Sequence, residues 1–329
     1  MSAESIMADK KASDVYDRQV RLWGADAQAK MAQTRVLYIH VTGVSSEMIK
    51  NLVLAGIRAS ICDTRSLDQV AATPSLFFSA FQKESNDDNN DKKKKTKYST
   101  VMEALKPVIE ELNPLLGECE TIPDWKAAIQ EFPLIVASHL SMADALYIAQ
   151  HKLPTTKFIL TDTFGLYGAA VFDLGPNLEY RPEKGKELMD PVTLEPYIPM
   201  DQIFATRLSD ATNRFHKQAP PEAYWRYRCF LEYRERTGKW LSSKDADVAE
   251  VLESYLQETA DASLHDMIRA QFDSLNKTAE ISPVCAVLGG MLGNEMIKVI
   301  SGKGQPANNT VLMDGITCKG LTFLVKPKT

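Results

Sequence analysis

The sequence predicts an α/β fold in which a mostly parallel sheet is covered on both faces by helices and a helical segment is inserted late in the chain. Three observations lead there. Apolar runs rich in Val, Ile and Leu alternate with amphipathic stretches from Arg35 to Leu174. The alternation stops after Asn177, where a series of prolines (Pro176, Pro182, Pro191, Pro196, Pro199) precedes longer helical patterns. It resumes beyond Glu280 with one long helix and two final strands. Both ends of the insertion therefore return to one sheet. The expected organisation is a mobile tail over 1–15, a first sheet segment over 16–176, an inserted helical subdomain over 177–280 and a closing sheet segment over 281–329.

Taken in order, residues 16–31 (YDRQVRLWGADAQAKM) read as a helix with Val20, Leu22, Trp23, Ala27 and Met31 on its apolar face, kinked or ended at Gly24. A buried strand follows over 35–41. The next helix starts at about Ser45, its candidate N-cap, and sets Met48, Ile49, Leu52 and Val53 in one stripe before Gly56 ends it. A second strand over 59–62 closes at Asp63, which completes a βαβ unit with a right-handed crossover. Residues 85–97 (SNDDNNDKKKKTK) are polar and charged in blocks, the composition of a solvated or disordered loop. The run from Lys92 to Lys95 suits a surface insertion, or else an import or anion-binding patch.

A helix over 99–112 stops at Asn113-Pro114. Strands over 133–138, 157–161 and 169–174 then flank a helix over 141–152, with Ser141 as its N-cap and Asp144 at the favourable end. In the insertion, helices are expected over 200–213, 221–237, 245–259 and 263–275. Within YWRYRCFLEYR (224–234), Trp225, Phe230, Leu231 and Tyr233 fall at packing positions, which leaves the arginines on the wet face. A helix over 282–300 carries Ala286, Gly289, Gly290 and Gly293, small residues that let another backbone come close. Strands over 308–314 and 320–325 finish the chain.

Composition narrows the function classes. The 329 residues suffice for about two ordinary domains or one large domain with an insertion. A formal net charge of -5 gives no reason to propose nucleic acid or an anionic membrane as partner. No uninterrupted apolar run reaches membrane-spanning length; the best, 284–300, contains Asn294, Glu295 and Lys298. The first residues lack the apolar core of a secretory signal. The five cysteines (Cys62, Cys119, Cys229, Cys285, Cys318) form no CxxC pair, which speaks against a disulfide framework or a zinc site and for a reducing compartment. Each reads as a small buried hydrophobe.

The candidate site lies in VLYIHVTGVSSEMIKNL (36–52), where a strand, a short loop and a helix stand in the order used by nucleotide-binding folds. Glycines in such a loop let backbone N–H groups and the helix N-terminus approach phosphate. Here only Gly43 remains, and the side chains of His40, Thr42 and Ser45 stand where phosphate or helix packing needs space. The same substitutions argue against a nicotinamide-dependent oxidoreductase. Asp63, where a ribose-binding acid belongs, reads as a relic or as a turn cap.

Four stretches resemble the adenylation-domain family of ubiquitin-like-protein activating enzymes, which includes the bacterial ThiF and MoeB proteins: Tyr16-Asp-Arg-Gln-Val-Arg-Leu-Trp-Gly24, Lys50-Asn-Leu-Val-Leu-Ala-Gly56, Thr161-Asp-Thr-Phe-Gly-Leu-Tyr-Gly168, and Pro283-Val-Cys-Ala-Val-Leu-Gly-Gly290 with Glu295-Met-Ile-Lys298, Asn308-Asn309 and Asp314-Gly315. They run in family order from about Tyr16 to Phe323. The resemblance implies a Rossmann-like, ThiF-type adenylation fold. PVCAVLGG and the chain length are most similar to the small regulatory halves of SUMO-activating enzymes; the regulatory half of the neddylation enzyme and a homodimeric MoeB-like adenylyltransferase are the alternatives.

Against the family pattern, 40–45 (HVTGVS) replaces GxGGxG, 70–78 lacks the Asn, Arg and Gln that grip triphosphate, and Cys229 has no neighbouring His in sequence. The resemblance therefore implies a pseudoenzyme half in the nucleus that holds neither nucleotide nor metal. It would pair with a large catalytic subunit that binds ATP, magnesium and SUMO and carries the transferable cysteine. Arg18 is implied to reach in trans into the partner's ATP site, with Arg21 the weaker candidate. Taken alone, Arg18 also suits a surface helix, paired with Asp14 or Asp17.

Overall fold

Each apolar run becomes a strand whose successive side chains point to opposite faces, and this builds two cores, one on each side of a sheet. The computed structural model describes residues 10–70, 98–185, 187–211, 220–241, 248–275 and 279–327. Among them eight strands form the main sheet: β1 (Arg35–Ile39), β2 (Arg58–Cys62), β3 (Glu120–Thr121), β4 (Leu134–Ala137), β5 (Lys157–Phe164), β6 (Tyr167–Asp173), β7 (Thr310–Asp314) and β8 (Lys319–Thr322). Their order is β8-β7-β6-β5-β4-β1-β2-β3. The strands from β3 through β2, β1 and β4 to β5 run parallel, and β6, β7 and β8 add antiparallel. This is the mostly parallel, Rossmann-like α/β sheet that the sequence predicts. Because β1 pairs with β2 on one side and β4 on the other, the direction of winding reverses between β1 and β4.

Ten helices carry labels: α1 (Lys10–Trp23), α2 (Ala25–Gln33), α3 (Gly43–Leu54), α4 (Val101–Leu112), α5 (Met142–His151), α6 (Met200–Ala205), α7 (Glu222–Thr237), α8 (Val248–Thr259), α9 (Ala262–Arg269) and α10 (Ser282–Ser301). On one face Val36 and Tyr38 of β1 pack with Met48 and Leu52 of α3, Leu105 of α4 and Leu288 and Leu292 of α10. On the other, Leu37 and Ile39 join Phe158, Leu160 and Val171 in a core that contains Trp225, Tyr227 and Phe230 of α7. The helices of the inserted segment therefore share their apolar core with the sheet they cover.

Several boundaries differ from the sequence reading. α1 begins at Lys10, inside the stretch expected as a tail, because the residues from Lys10 to Val15 continue the helical register of the YDRQ segment. Gly24, at φ 86°, separates α1 from α2. α3 starts at Gly43 with Thr42 as N-cap, not at Ser45; the Ser45 hydroxyl instead accepts the Thr42 N–H at 2.7 Å. β5 continues to Phe164, and the segment after Asn177 opens with two short two-stranded ladders before its first helix.

The small residues of α10 divide. A Cβ on Gly289 would lie 2.6 Å from Cβ of Glu47 and 3.0 Å from the Val44 carbonyl, so this glycine permits close packing on α3, whereas Ala286 and Gly290 are exposed. α10 is long and apolar enough, by length and composition, to cross a membrane. In the fold its inner face packs on α3 and β6. Arg226 and Arg228 are buried, contrary to the wet-face expectation. The Arg228 guanidinium donates to the carbonyls of Ile203, Phe204 and Thr206, groups left over where α6 ends. The lysine run from Lys92 to Lys95, the loop 85–97, residues 71–78 and the first nine residues lie outside the described set.

Candidate functional site

In an open α/β sheet a ligand binds beyond the carboxyl ends of the strands, where the winding reverses. That edge is formed here by the residues leaving β1, β2 and β4 and by the last half of β5. His40 follows β1 and His139 follows β4, so two imidazoles flank the reversal, both on left-handed backbone at φ 56° and 55°. Burial lowers the pKa of each, and Arg65 adds to the effect, so both rings are held neutral. The His139 ring packs against Trp240 with centroids 4.4 Å apart, and the guanidinium of Arg234 lies 4.1 Å from the Trp240 centroid on the same cluster.

The N-terminus of α3 faces this edge, as a phosphate-binding helix would. Its Gly43 N–H already points at a carboxylate of the same chain: Glu280 accepts it at 3.1 and 3.2 Å through its two oxygens. Thr163 Oγ1 donates to the same carboxylate at 2.9 Å. Burial raises the Glu280 pKa, and these two donors oppose the shift by favouring the charged form. The sequence reading missed Glu280, which is 237 positions from its partner. Its place at the return of the insertion was the one available signal.

Asp63 is fully buried at the end of β2 and accepts the Val41 N–H at 2.7 Å. Arg65 closes on it through Nε at 2.8 Å and Nη2 at 2.6 Å, and donates again to the Val41 carbonyl at 2.9 Å. Asp63 is thus the cap of its own turn, one of the two roles expected for it, and its hydrogen-bonding capacity is directed inward. Asp162 of β5 accepts the His139 N–H at 2.8 Å and the Tyr227 hydroxyl at 2.9 Å; burial lifts its pKa to about 7. At the same edge His40 Nδ1, Ser138 Oγ and Arg234 Nε are buried with no hydrogen-bond partner among the described residues, the kind of group that ordered water serves.

Cys229 lies fully buried in α7, and burial pushes its thiol up to about 12, which leaves almost no thiolate at neutral pH. Cys62, Cys119 and Cys285 are buried as well, while Cys318 is exposed. Among the described residues no group of three or more His, Cys, Asp or Glu side chains is placed to hold a metal ion.

Arg18 stands apart from this edge. It sits exposed on α1 with no hydrogen-bond or ion-pair partner among the described residues. Asp17, one of the acids considered for it, pairs instead with Arg21 at 3.0 Å. Exposed Val15 and Leu22 lie three residues before and four after Arg18, on the same helical face. α1 rests on the far end of α3: Gln19 Nε2 donates to the Leu54 carbonyl at 3.1 Å. With about 1.5 Å per residue, a helix of 12 residues separates that end from Gly43 by about 18 Å.

No family model matches the chain. It is similar over nearly its whole length to curated proteins named SUMO-activating enzyme subunit 1. The protein from Dictyostelium discoideum is 28% identical over 324 residues, 93% of this chain and 91% of the relative. That from Xenopus laevis is 27% identical over 350 residues, covering 97% and 96%. The human protein is 25% identical over 352 residues, covering 95% of each. With the Rossmann-like sheet and the motif order described above, this similarity runs end to end, and the proteins that the chain resembles are the SUMO-activating enzyme subunit 1 proteins.

Proposed function

We propose that the chain is the non-nucleotide-binding half of a heterodimeric SUMO-activating enzyme and supplies Arg18 to the ATP site of a large catalytic subunit. The observation that carries this is the placement of anions and cations. The seat for a phosphate at α3 is filled by Glu280, and the ribose-type acid Asp63 is bound by Arg65. A nucleotide does not fit residues so committed. Meanwhile the one exposed guanidinium of the YDRQ motif lies at the opposite end of α3, beyond reach of this chain's own pocket and free to enter another.

The chemistry belongs to the complex. A terminal carboxylate oxygen of SUMO bonds to the α-phosphorus of ATP, the bond to the bridging oxygen breaks, and pyrophosphate leaves with that electron pair. The large subunit would hold ATP, magnesium and the thioester-forming cysteine. Charge accumulates on the phosphoryl oxygens as the bond forms. A guanidinium supplies parallel N–H donors to two such oxygens and needs no change of protonation to do so. Residence in the nucleus is part of the same proposal, and the basic run from Lys92 to Lys95 supports it.

The test is SUMO-dependent exchange of pyrophosphate into ATP by the reconstituted pair. Arg18→Ala is expected to lower kcat by on the order of 10², the usual effect of removing one transition-state donor, with assembly intact. Exchange at the parent rate would overturn the role of Arg18. Measurable ATP binding by the isolated chain would overturn the division of labour, and exchange driven by the neddylation modifier in place of SUMO would reassign the pathway.

A further inference from the structure

α1 is held to the body of the protein in an unusual way for a helix that must present a side chain precisely enough for phosphoryl chemistry. Among its described residues only Tyr16 is fully buried, in a small cluster with Ala29 and Ala32 to which Val20 and Leu115 add. Trp23, at the last position of α1, adds a partly buried contact with the larger core, and around Arg18 the register of α1 is set by polar contacts as well. These converge on one spot, the C-terminal end of α3, where the carbonyls of Leu54 and Ala55 are left without a helical donor and that of Val53 accepts the Gly56 N–H at 3.0 Å with room for a second donor.

Each of the three is taken by a side chain from a different element. The Leu54 carbonyl accepts Gln19 of α1 at 3.1 Å, Ala55 accepts Gln28 of α2 at 2.9 Å, and Val53 accepts Asn113, just beyond α4, at 2.7 Å. Asn113 also donates from Nδ2 to the Tyr16 hydroxyl at 2.9 Å, and its Oδ1 accepts the Leu115 N–H at 3.3 Å. Both the amide donor and the amide acceptor are therefore committed. Gly56 makes room for the junction: at φ 92°, a Cβ there would lie 2.9 Å from Gln28 Nε2 and 3.2 Å from the Tyr16 ring. At the other end of α1, Lys303 Nζ donates to the Trp23 carbonyl.

We propose that Asn113 is a positioning residue for Arg18, fixing the rotation and height of α1 through Tyr16 so that the guanidinium is presented in a preset direction. The inference rests on the proposed action of Arg18 across the subunit interface. Tyr16 lies two residues from Arg18, so it is directed about 200° around the helix from it, at 100° per residue. A hydroxyl anchored on the inner side thus sets where the outer side points. Asn113 does not itself touch substrate.

Pyrophosphate exchange is measured with the reconstituted pair for the parent, Asn113→Ala, Tyr16→Phe, Arg18→Ala and the double variant Asn113→Ala/Arg18→Ala. Tyr16→Phe deletes one hydroxyl and keeps the ring, so it serves if Asn113→Ala impairs folding. The expected result is a fall in kcat of about tenfold for Asn113→Ala and less for Tyr16→Phe, with KM for ATP within about twofold of the parent. The double variant is expected to be no slower than Arg18→Ala alone, since a lost arginine has no position to lose. A further drop in the double variant equal to that in the single would show a general structural effect and overturn the proposal. So would parent kcat in both Tyr16→Phe and Asn113→Ala. Parent activity in Arg18→Ala would overturn the trans-arginine itself, and this proposal with it, whereas a slow Arg18→Ala beside fast Tyr16→Phe and Asn113→Ala overturns this proposal alone.

Discussion

Asp162 holds its proton nearly to neutrality because burial outweighs the two donors that favour its charge. A carboxyl in the unfolded chain ionises near pH 4. Between roughly pH 4 and 7 the folded chain therefore keeps a proton that the unfolded chain has released, so this group's contribution to stability falls as pH rises through that window and levels off above it. The neighbouring His40 and His139 act in the opposite sense on the acid side, since their buried neutral forms resist protonation. Comparison with Asp162→Asn, which keeps both imidazoles, isolates the carboxyl. The Tm of Asp162→Asn relative to the parent is expected to climb by several degrees from about pH 4.5 to about pH 7.5; a flat difference in scanning calorimetry would show that Asp162 titrates normally. At this scale the sequence revealed half of the site. His40, Thr42, Gly43 and Ser45 were legible because a strand-to-helix junction fixes where phosphate glycines belong. Glu280 and Arg65 were not, because their partners are set by how the chain returns to the sheet and not by spacing.

Among the elements, α3 and α10 show most directly how packing decides what a small residue means. Gly289 and Gly290 are adjacent in sequence, yet one faces α3 and the other faces open space. In an isolated helix, Gly→Ala stabilises by roughly 1 kcal/mol, so Gly290→Ala in the isolated chain is expected to gain up to about that much. Gly289→Ala should instead lose about 1–3 kcal/mol, because its Cβ presses on the backbone of α3. Urea unfolding of the two variants tests this, and equal shifts would mean that α10 does not sit so tightly. Helical periodicity identified the apolar face of α7 correctly at Trp225, Phe230, Leu231 and Tyr233. It misplaced Arg226 and Arg228, since no pattern within α7 reveals that α6 ends against it with carbonyls in need of donors. Arg226 likewise reaches outside its own helix, to Gln271 at 2.6 Å and Ser274 at 2.9 Å.

Across the whole molecule, the two ends of α3 differ: one is closed by Glu280 near the Asp63–Arg65 pair, and the other carries α1 outward. The apolar side chains on the outer face of α1, Val15 and Leu22, remain half to three-quarters exposed beside Arg18. Exposed apolar side chains beside an arginine, next to the Asp17–Arg21 pair, are the composition of a contact surface with a polar rim. Leu22→Glu is therefore expected to weaken binding to the large subunit by about tenfold or more while leaving the Tm of the isolated chain unchanged. Leu153→Glu, exposed at the C-terminal end of α5, serves as the control and should bind normally. Equal affinities, measured by calorimetric titration, would remove α1 from the interface.

The bond between Gly43 and Glu280 also has a consequence for how the chain is made. During synthesis α3 emerges with its positive N-terminal end unmatched, and more than two hundred further residues must follow before the matching carboxylate exists. The first βαβ unit thus waits, with an anion-seeking end facing the crevice, until the segment leading into α10 arrives. A nascent chain halted before residue 280 would present, at that one position, a helix N-terminus without the carboxylate that occupies it in the finished protein.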